Sequence, residues 1–249
     1  MREDVKYTLP AGAEVSIIPV MQGDGLSKID ESELPDVLPI LALRNAVVFP
    51  GAVFPITIGR EKSIKLIQDA EKDNFFIGAV PQNDVMVEEP QQEDLYFYGT
   101  VCRILKTLEM PDGTITAILQ AYKRLELDSV IGYEPYITAK VHYLPEILRE
   151  DSSANIKALS ETLKDKATQI LRGTNMGSRE TIGALKAIDN FTFLVNFIAT
   201  TIEVEDFSRK MELLQYDDLE ARGLNLVSIL EVQIQLMKIK QEINQKVKT

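Results

Sequence analysis

All eleven prolines of this 249-residue chain fall at or before Pro145, and none follows. Proline lacks a backbone donor and clashes with the preceding helical turn, so helix interiors exclude it while loops and strand ends tolerate it. The chain therefore divides into a proline-punctuated part and a part free to be helical, with the boundary at Pro145–Ser152. In the first part, Leu38–Gly59 reads LPILALRNAVVFPGAVFPITIG. Its β-branched and aromatic residues predict two short strands broken by a tight turn at Pro50-Gly51. Pro50 and Pro55 cannot donate to a ladder and are expected at a strand end, an edge or a bulge. A helix is expected from Arg60-Glu61-Lys62-Ser63, with Ile64, Ile67 and Ala70 at three-residue steps.

Further strands are expected at Phe75–Val80, closed by Pro81, and at Tyr96–Leu108, Thr114–Leu127 and Pro135–Leu144. The acidic loop Val87–Asp94 lies between the first two. Met110-Pro111-Asp112-Gly113 is a hairpin turn, with proline at a φ near −65° and glycine where φ must be positive. Several short strands with few helices suggest a small closed or nearly closed barrel. Beyond Pro145, Ile156, Leu159, Leu163, Ala167 and Ile170 form a helical stripe that Gly173–Gly177 breaks. Ile182, Leu185 and Ile188, then Phe193, Leu194, Phe197 and Ile198, then Phe207, Met211 and Leu214 mark three more helices of a bundle.

The last helix starts near Asp217, which has capping-box spacing to Glu220. Ile229, Val232, Leu236, Ile239 and Ile243 alternate three- and four-residue steps, the rhythm of a coiled-coil seam. A second row, Leu226, Leu230, Ile234 and Met237, is expected to pack on the bundle. The far end is expected to project, and it reaches Val247-Lys248-Thr249 with neither glycine cap nor proline, the form of a helix that continues in a longer chain.

Composition narrows the function. A net charge of −11 argues against nucleic acid, which needs clustered Lys and Arg. Residues 1–36 carry eight acids against three bases, and 1–33 read as a mostly flexible acidic extension around the apolar island Val15–Val20. The absence of an apolar run long enough for a bilayer, of a secretory signal and of any cysteine beyond Cys102 fits a cytoplasmic protein. No phosphate-binding G-x-x-x-x-G-K-[ST], G-x-S-x-G, H-E-x-x-H or C-x-x-C occurs. His142 is the only histidine and reads as an ordinary strand residue; Cys102 reads as a small packed apolar side chain. No catalytic, cofactor-binding or metal-ligating residues are expected.

The Leu38–Gly59 stretch, followed by GREKSIKLIQDAEK, EDLYFYGTVCRILKTLEMPDGT and AILQAYKRLEL, resembles the amino-terminal domain of Lon, the ATP-dependent protease. The resemblance runs from about Leu34 to the C-terminus in family order and spacing. It departs at Ala42, where the family often has proline. It implies an α+β chain: a PUA-like small β-barrel over 34–148, then an α-helical bundle over 149–249 ending in a long projecting helix from about 217. It implies the substrate-recognition and assembly region of a protease that degrades misfolded and short-lived regulatory proteins. ATP, Mg and the Ser-Lys site would belong to downstream domains absent from this fragment. The implied partners are unfolded or tagged proteins and other subunits of a homo-oligomer, a hexamer in the full-length family, with no membrane.

Recognition of that kind needs exposed apolar surface and a few orienting charges. The candidate contacts are Pro50 and Phe54 in the turn, Arg60, Glu61 and Lys62 at the helix start, and the seam Ile229, Val232, Leu236, Ile239 and Ile243. A stand-alone Lon-domain adaptor and an RNA-binding barrel are the alternatives. The bare helix end opposes the first and the acidic balance the second.

Overall fold

The computed structural model describes residues 29–149, 153–174 and 179–247, together with the backbone of two short strands. Those strands, β1 (Val5–Thr8) and β2 (Glu14–Ile17), pair antiparallel with Val5 opposite Ile17. The remainder of the expected N-terminal extension up to residue 28, including Ile18–Val20 of its apolar island, lies outside the described residues. The chain divides into two compact units, Gly23–Pro145 and Met1–Gln22 with Glu146–Thr249.

In the first unit the strands are β3 (Val37–Leu43), β4 (Val53–Ile58), β5 (Ile77–Pro81), β6 (Tyr98–Glu109), β7 (Ile115–Gly132) and β8 (Thr138–Tyr143), with helix α1 (Glu61–Asp73) before β5. Their order is β4-β7-β6-β5-β3-β8, and a further pairing of β7 with β8 closes a ring. The two strands on either side of Pro50-Gly51 do not pair with each other. β3 bonds β5 in parallel and β8 antiparallel, whereas β4 bonds β7 alone. Pro55 thus sits on an edge strand, as its missing donor requires. The hairpin turn forms as the sequence dictates. Met110 N donates to Thr114 O at 2.9 Å, and Gly113 takes φ 83°.

β7 runs five residues beyond the expected Leu127, through Asp128 and Ser129 to Gly132. Register shifts at Leu127/Ser129 and Val130/Gly132 absorb the polar residues while the strand keeps its pairing to β8. Alternation along the strands creates two cores. Leu38, Val80, Val101, Leu125, Ala139 and Val141 meet in one. Leu41, Leu66, Ile67, Ile77, Cys102 and Leu119 meet in the other, where α1 contributes its apolar face.

The second unit is helical: α2 (Ser153–Gly173), α3 (Arg179–Ala187), α4 (Phe191–Thr201), α5 (Phe207–Glu212) and α6 (Leu219–Val247). Of the expected stripe, Leu159, Leu163, Ala167 and Ile170 are buried as their spacing predicts, while Ile156 at its start is half-buried. Asn190 caps α4 by accepting from Phe193 N at 2.9 Å. Buried Arg222 on α6 donates to both oxygens of Glu146, at 2.7 and 3.1 Å, to Asn196 Oδ1 at 2.7 Å, and to the Tyr216 carbonyl.

Candidate functional site

In the first unit, the beginning of α1, the 84–92 loop and the 133–137 segment enclose a groove of about 260 Å³. Half-buried Tyr133, Tyr136 and Ile137 supply its apolar surface, over the buried side chains of Ile40, Ala42 and Leu66. Glu61, Lys62, Glu88 and Glu89 bring charge to the same groove. Here the structure unites three of the residues picked from sequence, Arg60, Glu61 and Lys62, with two tyrosines and an acidic loop that the sequence reading left without a role.

Arg60 does not sit in a solvated first turn. Its guanidinium donates to Ala42 O at 2.5 Å, Gln82 Oε1 at 2.6 Å and Glu88 O at 3.3 Å, fastening β3 to the acidic loop. Burial, helped by the charge of Arg44 and opposed by Glu88, lowers its pKa, but an arginine keeps its proton. Gln82 then donates to the carbonyls of Asp84 and Val87, both at 3.0 Å. Arg44 donates to the Val87 carbonyl at 3.1 Å and pairs with Glu88 at 3.1 Å. The loop is therefore pinned from beneath.

The other walls are fastened too. Lys62 Nζ lies 2.5 Å from Glu134 Oε1, a hydrogen bond that raises the lysine pKa. Tyr133 hydroxyl accepts from Gln92 N at 3.1 Å, and the Gln92 side chain accepts from Val130 N at 2.9 Å. A groove held at this many points is organised before any ligand arrives, which lowers the entropy lost on binding.

The other predicted contacts are placed differently. Pro50 is buried, because Gly51 N donates to Ala121 O at 2.9 Å and draws the turn onto β7, so Pro50 offers no surface. Phe54 is half-buried against the α1 core. Ile229 is only 5% exposed and belongs to the bundle core beside Leu226, Leu230 and Ile234, so the seam begins after it. Val232, Ile239 and Ile243 are 39%, 52% and 54% exposed, and Leu236 is half-buried. Met237 of the inner row is half-buried.

His142 is exposed, with Nδ1 2.7 Å from Asp128 and Nε2 3.2 Å from Glu126. Cys102 is fully buried, and burial pushes its thiol pKa far up, which removes the reactive thiolate. A larger hollow of about 540 Å³ in the helical unit, lined by Ile156, Ile188 and Phe191 among others, involves none of the candidate contact residues. Among the described residues no helix is long and apolar enough to cross a membrane, and no cluster could hold a metal ion.

A closed ring of strands with a pinned apolar groove, joined in sequence to a helical unit, is a mixed α+β module suited to seating side chains of a ligand. The chain belongs to the family of ATP-dependent protease La (LON) substrate-binding domains, whose model matches residues 37–232. A Lon protease of Flavobacterium johnsoniae is 37% identical over 236 residues, 95% of this chain and 29% of that protein. One of Cytophaga hutchinsonii is 37% identical over 235 residues, 94% of this chain and 29% of that protein. The chain thus spans less than a third of these relatives. The fold is shared with the N-terminal domain of Mycobacterium avium complex Lon protease, at TM-score 0.61 and 19% identity, covering 78% of this chain and 98% of that one.

Proposed function

We propose that this chain captures unfolded or tagged polypeptides for a Lon-type ATP-dependent protease, whose ATPase and Ser-Lys protease domains, with ATP and Mg, lie outside it. The observation that carries this reading is membership of a substrate-binding family by a chain that spans about 29% of Lon proteases. In this reading the ring over 34–148 is a PUA-like barrel. The part from 149 is a bundle whose last helix projects, and the assembled protein is a cytoplasmic homo-oligomer, a hexamer as in the family. Two contact surfaces serve capture. One is the groove at Arg60, Glu61 and Lys62, whose apolar lining suits sequence-tolerant contact with unfolded chains. The other is the exposed seam Val232, Leu236, Ile239 and Ile243, suited to a helical partner such as another subunit.

The test is binding of the 249-residue chain to a fluorescent unfolded protein and to its folded form. Selective binding to the unfolded form is expected. Its loss in Tyr136→Ser places capture at the groove, and its loss in a Leu236→Glu, Ile239→Glu variant places it on α6. Equal binding to both forms, or to neither, refutes the reading.

A further inference from the structure

We infer that the groove selects extended segments in which an aromatic or branched apolar residue is flanked by lysine or arginine; the inference rests on the groove being the capture site. Size comes first. At about 260 Å³ the groove lies below the ~300–1,000 Å³ typical of pockets for whole small molecules, so it seats a side chain or two. The lining sets the kind of side chain: half-buried Ile137 is aliphatic and half-buried Tyr133 and Tyr136 are aromatic, above buried Ile40 and Leu66.

The charges set what flanks it. Both cations of the groove are already engaged from within the unit. Arg60 is spent on two carbonyls and Gln82, and Lys62 on Glu134. Glu88 is likewise paired with Arg44. Glu61 and Glu89 are exposed and form no ion pair among the described residues. An incoming peptide therefore meets two exposed carboxylates beside an apolar seat, Glu61 and a Glu89 that Lys62 attracts only through space, without a direct ion pair. Basic neighbours of the seated residue are attracted to them and acidic neighbours repelled, a discrimination that salt screens because the rim is exposed.

The experiment uses fluorescence anisotropy of labelled unstructured peptides carrying one central Phe in a Gly-Ser background. The Phe is flanked by two Lys, two Ser or two Glu on each side, and a fourth peptide has Lys flanks with Ser in place of Phe. At low salt the Lys-flanked Phe peptide should bind ~3–10-fold tighter than the Glu-flanked one, a ratio that shrinks at high salt. Glu61→Gln with Glu89→Gln should bring that ratio close to one. Glu212→Gln with Glu242→Gln, which removes the same charge from the helical unit, should leave the ratio alone.

A ratio near one in the unaltered chain overturns the inference. So does a ratio that survives the groove substitutions, or one that falls equally with those in the helical unit, since it would then report only the net charge. If Lys-flanked peptides bind equally with Phe or Ser, the apolar seat is refuted. Failure of the underlying reading looks different: no peptide binds, or the Ser-flanked Phe peptide binds Tyr136→Ser as well as the unaltered chain.

Discussion

Replacing Arg222 by methionine tests the account of the helical unit most severely. The guanidinium is wholly buried and makes two charge-assisted bonds to Glu146, one to the nearly buried Asn196 side chain and one to the Tyr216 carbonyl. Methionine retains most of the aliphatic length and removes all four donations. Breaking a buried ion pair from one side typically costs ~3–5 kcal/mol, because the stranded charge keeps its desolvation penalty. The Glu146 side chain is 19% exposed and can partly rehydrate, which places the expected loss near the lower end, about 3 kcal/mol. For a unit of this size that corresponds to a midpoint lowered by roughly 10–20 °C. Thermal and urea unfolding followed by far-ultraviolet circular dichroism reads it, since the helices dominate that signal. Arg222→Met with Glu146→Leu should recover part of the loss, because the stranded carboxylate is gone. A single variant within ~1 kcal/mol of the unaltered chain, or a double variant no more stable than the single one, would show that Arg222 does not hold the bundle together.

Three further outcomes are expected. Burial lowers the Lys210 pKa to about 8 from 10.5, against a weaker opposing effect of Glu203. Between those values the folded chain has shed a proton that the unfolded chain still holds, so stability should rise by about 2–3 kcal/mol from pH 7 to pH 10 relative to Lys210→Met; a constant difference between the two pH profiles would refute it. Cys102 should resist a thiol-specific reagent until denaturant unfolds the first unit, and labelling of the folded chain would contradict its burial. A Cβ at Gly99 would lie 2.5 Å from the Ala79 carbonyl oxygen on the neighbouring strand, so Gly99→Ala should destabilise by ~1–3 kcal/mol in urea titrations, and a neutral result would show that β5 and β6 can part there.

Local pattern carried far in this chain because its elements obey local rules. The Pro111-Asp112-Gly113 turn, the α2 stripe and the edge position of Pro55 each follow from backbone geometry that a few neighbouring residues determine. What local pattern could not carry is partnership. Arg60 stood at a helix start and read as a candidate surface contact, yet its acceptors lie 18, 22 and 28 residues away. Arg124 and Arg222 carried no signal in the sequence, yet both are wholly buried, Arg124 donating to Pro145 O at 2.6 Å. Ile229 kept the seam rhythm, which identifies a face of a helix but not how far along that face the bundle reaches. The same limit hid the groove. Its Tyr133 and Tyr136 lie some seventy residues beyond Lys62, and bonds from α1 to Glu134, to the Tyr133 carbonyl and to the Tyr136 side chain draw those segments together. A triplet of charges at a helix start therefore becomes a candidate site only when the fold engages two of them, Arg60 and Lys62, with distant partners and leaves the third, Glu61, exposed.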